Sequence, residues 1–117
     1  MEIIRRNGII DEERGGYKVK KLLSGKFNFL IEDIAIYETN IPLGGKCKEQ
    51  WHRQSYELVY FLTQGVGKIN GKEYRFDIGD LVMLSPDEKH EFTTIDQEVR
   101  VLAIRFPDLP QDKYTSE

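Results

Sequence analysis

The sequence predicts a nearly all-β protein that folds as one sandwich or barrel. Apolar and polar residues alternate with period two, β-branched and aromatic runs recur between turn signals, and helical periodicity never persists beyond a couple of turns. Short strands that are separated by turn residues at regular intervals are typical of sandwiches and barrels. A chain of 117 residues is long enough to fold alone as one domain, burying about 65% of its unfolded surface.

The strands can be placed in order from the turn residues that separate them. Gly15-Gly16 precedes a strand that starts at Tyr17, and Ser24-Gly25 separates it from a long strand predicted over residues 27–37. Asn70-Gly71 is the strongest two-residue hairpin signal in the chain. The remaining predicted strands lie at residues 57–63, 73–76, 81–84, 90–95 and 99–106.

The two ends are predicted to differ from the middle of the chain. Residues 1–16 are polar with scattered isoleucines and are expected to add an edge strand or a strand swapped with a partner subunit. Residues 17–106 are assigned to the barrel. Residues 107–117 are expected to form a loose tail, because Pro107 and Pro110 flank polar residues with little to bury.

Composition and charge exclude several kinds of partner. The 17 basic and 20 acidic residues give a net charge of -3, which offers no general attraction to nucleic acid or anionic lipid. The single cysteine, Cys47, excludes an intramolecular disulfide and favours a cytoplasmic location. No signal peptide or membrane span is predicted. A small polar ligand is the natural partner.

The two histidines, His52 and His90, are the strongest functional signal. Each begins a strand-like run, so that the two segments could face one pocket. Imidazole is the commonest biological ligand for divalent transition metals, and two imidazoles with a carboxylate and an amide would form a site with open coordination positions.

These residues fall in patterns that resemble the two motifs of the cupin superfamily, over residues 41–106. The first motif is similar to Gly45, His52-Arg53-Gln54, Glu57 and Gly65, and the second to Gly79-Asp80, Pro86 and His90 followed by Phe92. The resemblance implies a double-stranded β-helix, the jelly-roll barrel of cupins, and homodimerisation. The sequence at residues 56–60 and 85–86 is also similar to that of the sugar-sensing domain of arabinose-type regulators.

The chain departs from the family pattern at two positions. Gln54 stands where the second histidine is usual, and only two residues separate it from Glu57 instead of three or four. Because strand side chains alternate between faces, Glu57 turns inward only if one residue, such as Ser55, is irregular. In a regular strand Leu58 would take its place. The residues that follow Glu57 resemble those that follow the glutamate in the family, which favours Glu57 over Leu58 as the inward-facing residue.

The resemblance implies a metal site formed by His52, Gln54, Glu57 and His90. Zinc, manganese, nickel or iron(II) would fit mixed nitrogen and oxygen ligands. Glu57 would act as a ligand or as the catalytic base. The alternative is that both histidines are hydrogen-bonded groups in a metal-free pocket.

Four aromatic residues near the motifs are candidates for ligand contacts. Aromatic surfaces with polar tips suit carbohydrates and other small molecules, although side chains of this kind are also common in cores. The candidates are Trp51, Tyr56, Tyr60 and Phe92. Cys47 is expected to be an inert thiol, because no histidine and asparagine are patterned to activate it.

Two functions therefore stay open. The first is a metal-dependent cupin enzyme, such as an isomerase or dioxygenase, that acts on a small sugar-like molecule. The second is a metal-free binding module without catalysis. Whether the chain is an enzyme is left open, and no helix-turn-helix for direct DNA binding is expected after Phe106.

Overall fold

The computed structural model describes residues 1–24, 33–45 and 47–116, and it shows a β-sandwich. A single 3-10 turn, Arg6–Gly8, is the helical element of these residues. The strands are β1 Glu2–Ile4, β2 Glu12–Arg14, β3 Tyr17–Val19, β4 Ala35–Ile41, β5 Gln50–Trp51, β6 Tyr56–Phe61, β7 Gly65–Ile69, β8 Lys72–Phe76, β9 Leu81–Leu84, β10 His90–Thr93, β11 Val99–Phe106 and β12 Tyr114–Thr115.

Two five-stranded sheets form the body of the protein. The first has the strand order β1-β9-β6-β11-β4 and the second has the order β12-β5-β10-β7-β8, while β2 and β3 form a separate two-stranded hairpin. All described pairings are antiparallel. The chain crosses repeatedly between the two sheets, which places residues from distant segments on the two facing inner surfaces. The all-β fold class is confirmed.

The predicted hairpin at Asn70-Gly71 joins β7 to β8. Ile69 pairs with Lys72, so that the loop contains only these two residues. Asn70 has a φ of 50° and Gly71 a φ of 84°. Positive φ at both positions is the geometry of the tight turn that matches the twist of paired strands, and asparagine and glycine tolerate it best.

The alternation on β6 shows why the sandwich has an apolar interior. Glu57, Val59 and Phe61 are buried, whereas the residues between them are only partly covered. Phe61 stacks on Phe76 at 4.4 Å between ring centroids and meets Phe92 edge-on at 5.6 Å. Buried aliphatic side chains from both sheets complete the core, including Ile69, Val82, Leu84, Val99 and Val101.

Gly67 allows the aromatic rings to pack this closely against β7. A Cβ atom at this position would lie 2.9 Å from the Phe92 ring and 3.0 Å from the Phe76 ring. Such separations are shorter than van der Waals contact, so a side chain at residue 67 would push the rings apart. Glycine in a strand interior often marks a close approach of this kind.

Residues Glu2–Ile4 form a strand at the edge of the first sheet. β1 pairs with β9 at the outer edge of the first sheet, with Ile3 opposite Val82, and Ile3 packs against the core. The prediction of an edge strand matches this placement. The predicted strand over residues 27–37 lies partly outside the described residues, and its described continuation is β4.

The expectation of a loose C-terminal tail is corrected by the structure. Tyr114 pairs with Trp51, and Thr115 pairs with Gln50, at the edge of the second sheet. Asp112 is only 5% exposed. The two prolines therefore do not release the tail from the barrel, because polar groups of the tail bind backbone groups of the β5–β6 segment. Among the described residues, none of the helical structure is long and apolar enough to cross a membrane.

Candidate metal centre

Three side chains from separate elements converge between the two sheets. The Nε2 atom of His52 lies 3.4 Å from Oε2 of Glu57, and Nε2 of His90 lies 3.6 Å from Oε1 of the same carboxylate. One potential ligand atom from each residue falls within 4.8 Å of the others. His52, Glu57 and His90 are 2%, 4% and 1% exposed. They form a compact, buried cluster, which is called the His-Glu-His cluster below.

The cluster joins the two sheets. Glu57 is the second residue of β6 in the first sheet, and His90 is the first residue of β10 in the second sheet. His52 directly follows β5, which pairs with β10. Residues 52–55 are not part of a strand. This irregular stretch permits both His52 and Glu57 to point inward, as was expected if one residue near Ser55 departs from regular strand geometry.

The second ring nitrogen of each histidine is held by a backbone carbonyl. His52 Nδ1 lies 2.7 Å from the carbonyl oxygen of Asp112, and His90 Nδ1 lies 3.0 Å from that of Glu88. A carbonyl oxygen only accepts, so each Nδ1 must carry the proton that it donates. In the neutral imidazoles, each Nε2 therefore presents its lone pair to the cluster.

Asp112 is the residue that orients His52. Besides the carbonyl contact, its carboxylate accepts hydrogen bonds from the backbone N–H groups of Arg53, Gln54 and Ser55 at 3.0, 2.8 and 2.9 Å. Burial by itself would raise the pKa of Asp112, but these three donors outweigh it and hold the pKa below its usual value. One side chain thus fixes the turn between His52 and Glu57.

Arg105 contributes a positive charge to the site. Its Nε and Nη2 atoms donate to Oε2 of Glu57 at 3.3 and 3.1 Å. Burial by itself would raise the pKa of Glu57, but hydrogen bonds and positive charge from His52 and His90, in their protonated form, outweigh burial and hold the pKa well below its usual range. The ion pair with Arg105 also favours the ionised carboxylate, which is the form that binds a cation.

The donor set fits a divalent transition metal. Two ligands that each lie about 2.1 Å from one ion are about 3 to 4 Å apart, and the His–Glu separations fall in that interval. Nε2 of His52 is buried and makes no hydrogen bond to a described residue. Two imidazole nitrogens and one carboxylate are ligands shared by zinc, iron(II), manganese and nickel sites.

The structure places Gln54 outside this cluster and Gln50 beside it. Gln54 is exposed, whereas Nε2 of Gln50 lies 3.4 Å from Nε2 of His90. With Gln50 and His52 in the two ligand positions of the first motif, four residues separate His52 from Glu57. This is the spacing expected of the family. Gln50 therefore lies beside the histidines, in the place that was predicted for Gln54.

Of the four aromatic candidates, Phe92 alone lines the cavity beside the cluster. Trp51 stacks on Tyr114 with a centroid distance of 6.0 Å, and Tyr56 stacks on Phe106 with a distance of 5.9 Å. Tyr60 alternates with the buried residues of β6 and so lies on the other face. Trp51, Tyr56 and Tyr60 therefore pack outside the cavity.

A cavity of about 440 Å³ leads from the surface to Glu57. It lies between the inner faces of the two sheets and combines apolar walls with polar groups at its ends. Its lining residues include Tyr37, Thr39, Cys47, Lys48, Gln50, Glu57, Val59, Phe92, Val101, Ala103, Arg105 and Lys113. Burial raises the pKa of the Cys47 thiol, which agrees with the prediction that it is not a nucleophile.

Sequence reasoning did not identify Gln50, Arg105 or Asp112. The alternation of strand side chains places the first two on the inward face, although it does not show which groups they meet. Gln50 lies two residues before His52, and Arg105 continues the inward series Val101, Ala103 on β11. No local pattern signals Asp112, since its partners lie more than 50 residues away.

The comparisons with known proteins agree with this architecture. Neither a protein-family model nor a curated protein matches the sequence. Among solved structures, the chain is similar to a cupin protein from Bacteroides fragilis, with 22% identity, a TM-score of 0.60 and coverage of 73% of this chain and 75% of that one. A protein with a double-stranded β-helix domain from Klebsiella pneumoniae gives 13% identity, a TM-score of 0.66 and coverage of 75% and 79%.

A third similar structure is a proposed sugar phosphate isomerase from Acidithiobacillus ferrooxidans. The identity is 21% and the TM-score 0.63, over 72% of this chain and 56% of that chain. Identities this low show the fold alone. The chain thus has the double-stranded β-helix fold of the cupin superfamily, and the assignment made from its motifs is confirmed at the level of the fold.

Proposed function

We propose that this protein is a metal-dependent cupin that binds one divalent transition metal at the His-Glu-His cluster and a small polar molecule in the adjoining cavity. The metal ligands would be Nε2 of His52, Nε2 of His90 and the carboxylate of Glu57. Gln50, whose amide nitrogen lies 3.4 Å from Nε2 of His90, would supply its amide oxygen as a weaker fourth ligand after rotation of the amide. Zinc, manganese, nickel and iron(II) are the candidate ions.

One observation carries this proposal. When both imidazoles are neutral, two lone pairs and a carboxylate meet in a buried space, because the Nδ1 protons are committed to the carbonyls of Asp112 and Glu88. Lone pairs that converge without a cation between them repel one another, and burial strengthens the repulsion. A divalent cation would convert this arrangement into a favourable one. Histidines in metal sites are commonly oriented by such hydrogen bonds to the distal nitrogen.

The electrostatics favour Glu57 as a ligand over Glu57 as a base. A general base works best when its pKa is close to the working pH, whereas the pKa of Glu57 is well below its usual range. Arg105 neutralises the same carboxylate and fixes its orientation. The carboxylate is then available for binding a cation and poorly suited to accepting a proton.

The cavity supplies the space for a substrate. When bound, the ion would act as a Lewis acid that polarises a carbonyl or enediol oxygen. Phe92, Val59 and Ala103 would exclude water from one side of the substrate, and Thr39 and Gln50 would offer hydrogen bonds. Isomerisation or dioxygenation of a sugar-like molecule fits these elements. Cytoplasmic location and homodimerisation stay predictions.

The second candidate is a metal-free binding barrel without catalysis. The contact between Arg105 and Glu57 favours it, because the guanidinium already compensates the buried carboxylate. If both imidazoles were protonated, no further cation would be needed. In that case the cluster would serve as a charged wall of a ligand pocket.

Metal analysis of the purified, tag-free protein tests the proposal. We expect about one divalent ion per chain after dialysis, measured by plasma mass spectrometry, as a single three-residue site requires. His52→Ala, His90→Ala and Glu57→Gln should each lose most of this metal. Glu91→Gln is the matched control, because Glu91 follows His90 on β10 and points to the other face.

Two results would overturn metal binding. The first is protein that is purified without metal and takes up none of the four candidate ions. The second is equal metal content in Glu57→Gln and Glu91→Gln. If such metal-free protein gains thermal stability from a small polar ligand, the binding barrel is supported, because selective binding to the folded state raises the melting temperature.

A further inference from the structure

The cavity beside the His-Glu-His cluster is basic. Lys48, Lys113 and Arg105 are the cationic residues that line it, and Glu57 is the anionic one. The lining therefore carries a formal charge of +2, from three positive groups and one negative group. This contrasts with the whole chain, whose net charge is -3.

The positive groups lie at different depths in the cavity. Lys48 and Lys113 are exposed and belong to the segments that precede β5 and β12. The side chain of Arg105 is only 12% exposed and binds Glu57 at the inner end of the cavity. Its Nη1 atom makes no hydrogen bond to a described residue, whereas Nε and Nη2 are used by Glu57. A ligand that enters would pass two ammonium groups before it meets the guanidinium.

The second cleft of the described residues shows that this charge is specific to one place. That cleft has a volume of about 170 Å³ and is lined by Arg75 together with Asp77 and Asp96. Its charged groups sum to -1. The two clefts therefore carry net charges of opposite sign, and the positive lining belongs to the cavity that contains the candidate metal ligands.

We propose that the cavity selects a small molecule that bears an oxyanion, a carboxylate or a phosphate group. The inference rests on the proposed function only in placing the ligand in this cavity. The oxyanion would lie between Arg105 and the two lysines, and the uncharged part would lie against Phe92, Val59 and Ala103. Guanidinium and ammonium groups are the side chains that bind carboxylate and phosphate most strongly.

A neutral sugar is the less favoured ligand. Hydroxyl groups would satisfy Thr39 and Gln50, but they would leave the formal charge of +2 in the lining uncompensated. An anion removes this imbalance. The partly enclosed site also lowers screening at Arg105, so the attraction there is larger than at an open surface.

Calorimetric titration can test the selection. Inorganic phosphate, succinate and arabinose serve as probes for phosphate, carboxylate and neutral ligands, each titrated into metal-loaded and metal-stripped protein. We expect phosphate or succinate to bind more tightly than arabinose. The double variant Lys48→Gln/Lys113→Gln should weaken anion binding about tenfold, and added salt should weaken it further.

The matched control is Lys18→Gln/Lys72→Gln, which removes the same charge from β3 and β8, away from the cavity. Its anion affinity should equal that of the wild type, and both double variants should keep their metal content. Equal affinity in the two double variants, or tighter binding of arabinose, would overturn the inference. Wild-type protein that binds none of the four candidate metal ions but keeps lysine-dependent anion binding would overturn the proposed function alone.

Discussion

The two ends of the barrel interior have opposite chemistry although the same strands build both. On β6, the inward residues run from Glu57 through Val59 to Phe61, and on β11 they run from Arg105 through Ala103 to Val99. One end holds the His-Glu-His cluster and its cavity. The other end is filled by the rings of Phe61 and Phe76.

This contrast separates stability from function within one small domain. The aromatic end buries apolar surface, which is the main stabilising contribution to folding. The polar end keeps buried charges and an open cavity, which contribute little to folding and are expected at a binding site. The partition predicts that substitutions at the two ends fail in different assays.

The largest expected effect is on stability, at the aromatic end. Phe61 is 0% exposed, and Phe61→Ala should lower the free energy of unfolding by about 4 kcal/mol through lost burial and a new cavity. Chemical denaturation measures this loss. The remaining folded protein should keep its metal, because Phe61 does not touch the cluster.

Leu58→Ala is the control for Phe61→Ala. Leu58 lies on the same strand and is only partly buried on the other face, so we expect a loss of about 1 kcal/mol. Similar losses in the two variants would contradict the placement of the core at the Phe61 end of β6.

The next effect concerns the residue that joins the C-terminal segment to the site. Asp112→Asn would turn an amide donor toward one or two of the three backbone N–H groups, because these groups bind different carboxylate oxygens. The substitution should lower the free energy of unfolding by about 3 kcal/mol. It should also weaken metal binding by about 10- to 100-fold, because His52 loses its support. Asp96→Asn, at an exposed loop position, should change neither quantity.

The stability contributed by Asp112 should depend on pH in a defined direction. Its pKa in the folded protein is lower than usual, so its contribution is complete above the unfolded value of about 3.9 and is lost as pH falls through the folded value. The stability difference between metal-stripped wild type and Asp112→Asn should therefore shrink from pH 6 toward about pH 2. A constant difference would show that the carboxylate charge is not involved.

The smallest effect distinguishes the two glutamines of the first motif. Gln50→Ala should weaken metal binding about tenfold, since it removes a weak fourth ligand. Gln54→Ala should leave metal affinity unchanged, because Gln54 is exposed. Competition with a chelating dye measures both affinities. A larger loss of metal affinity in Gln54→Ala than in Gln50→Ala would support Gln54 as the ligand, as predicted from the sequence.

Much of the fold was predictable from local patterns. Alternation identified β6 and β9 to within a residue or two, and Asn70-Gly71 specified its hairpin because few other residue pairs adopt two consecutive positive φ angles. The C-terminal segment was not predictable in this way. Its strand β12 is two residues long, and its attachment depends on Asp112 and on partners far away in the chain.

The candidate site was predictable in its residue types and less so in its register. His52, His90 and Glu57 were identified from motif order, and the structure brings them together. The glutamine beside the histidines was predicted four residues too late in the chain, because the sequence does not show where β5 ends. The alternation of side chains cannot be counted from His52 to Glu57, because residues 52–55 are not in a strand.

The sequence by itself determined the class of this protein, since period-two alternation, turn residues and two separated histidine motifs are local properties of the chain. Only the tertiary structure decided that Gln50 rather than Gln54 faces His90, that Arg105 neutralises Glu57, and that Lys48 and Lys113 line one cavity. These facts depend on pairings between strands that are distant in sequence. Such pairings are set by packing of the whole barrel, which no local pattern encodes.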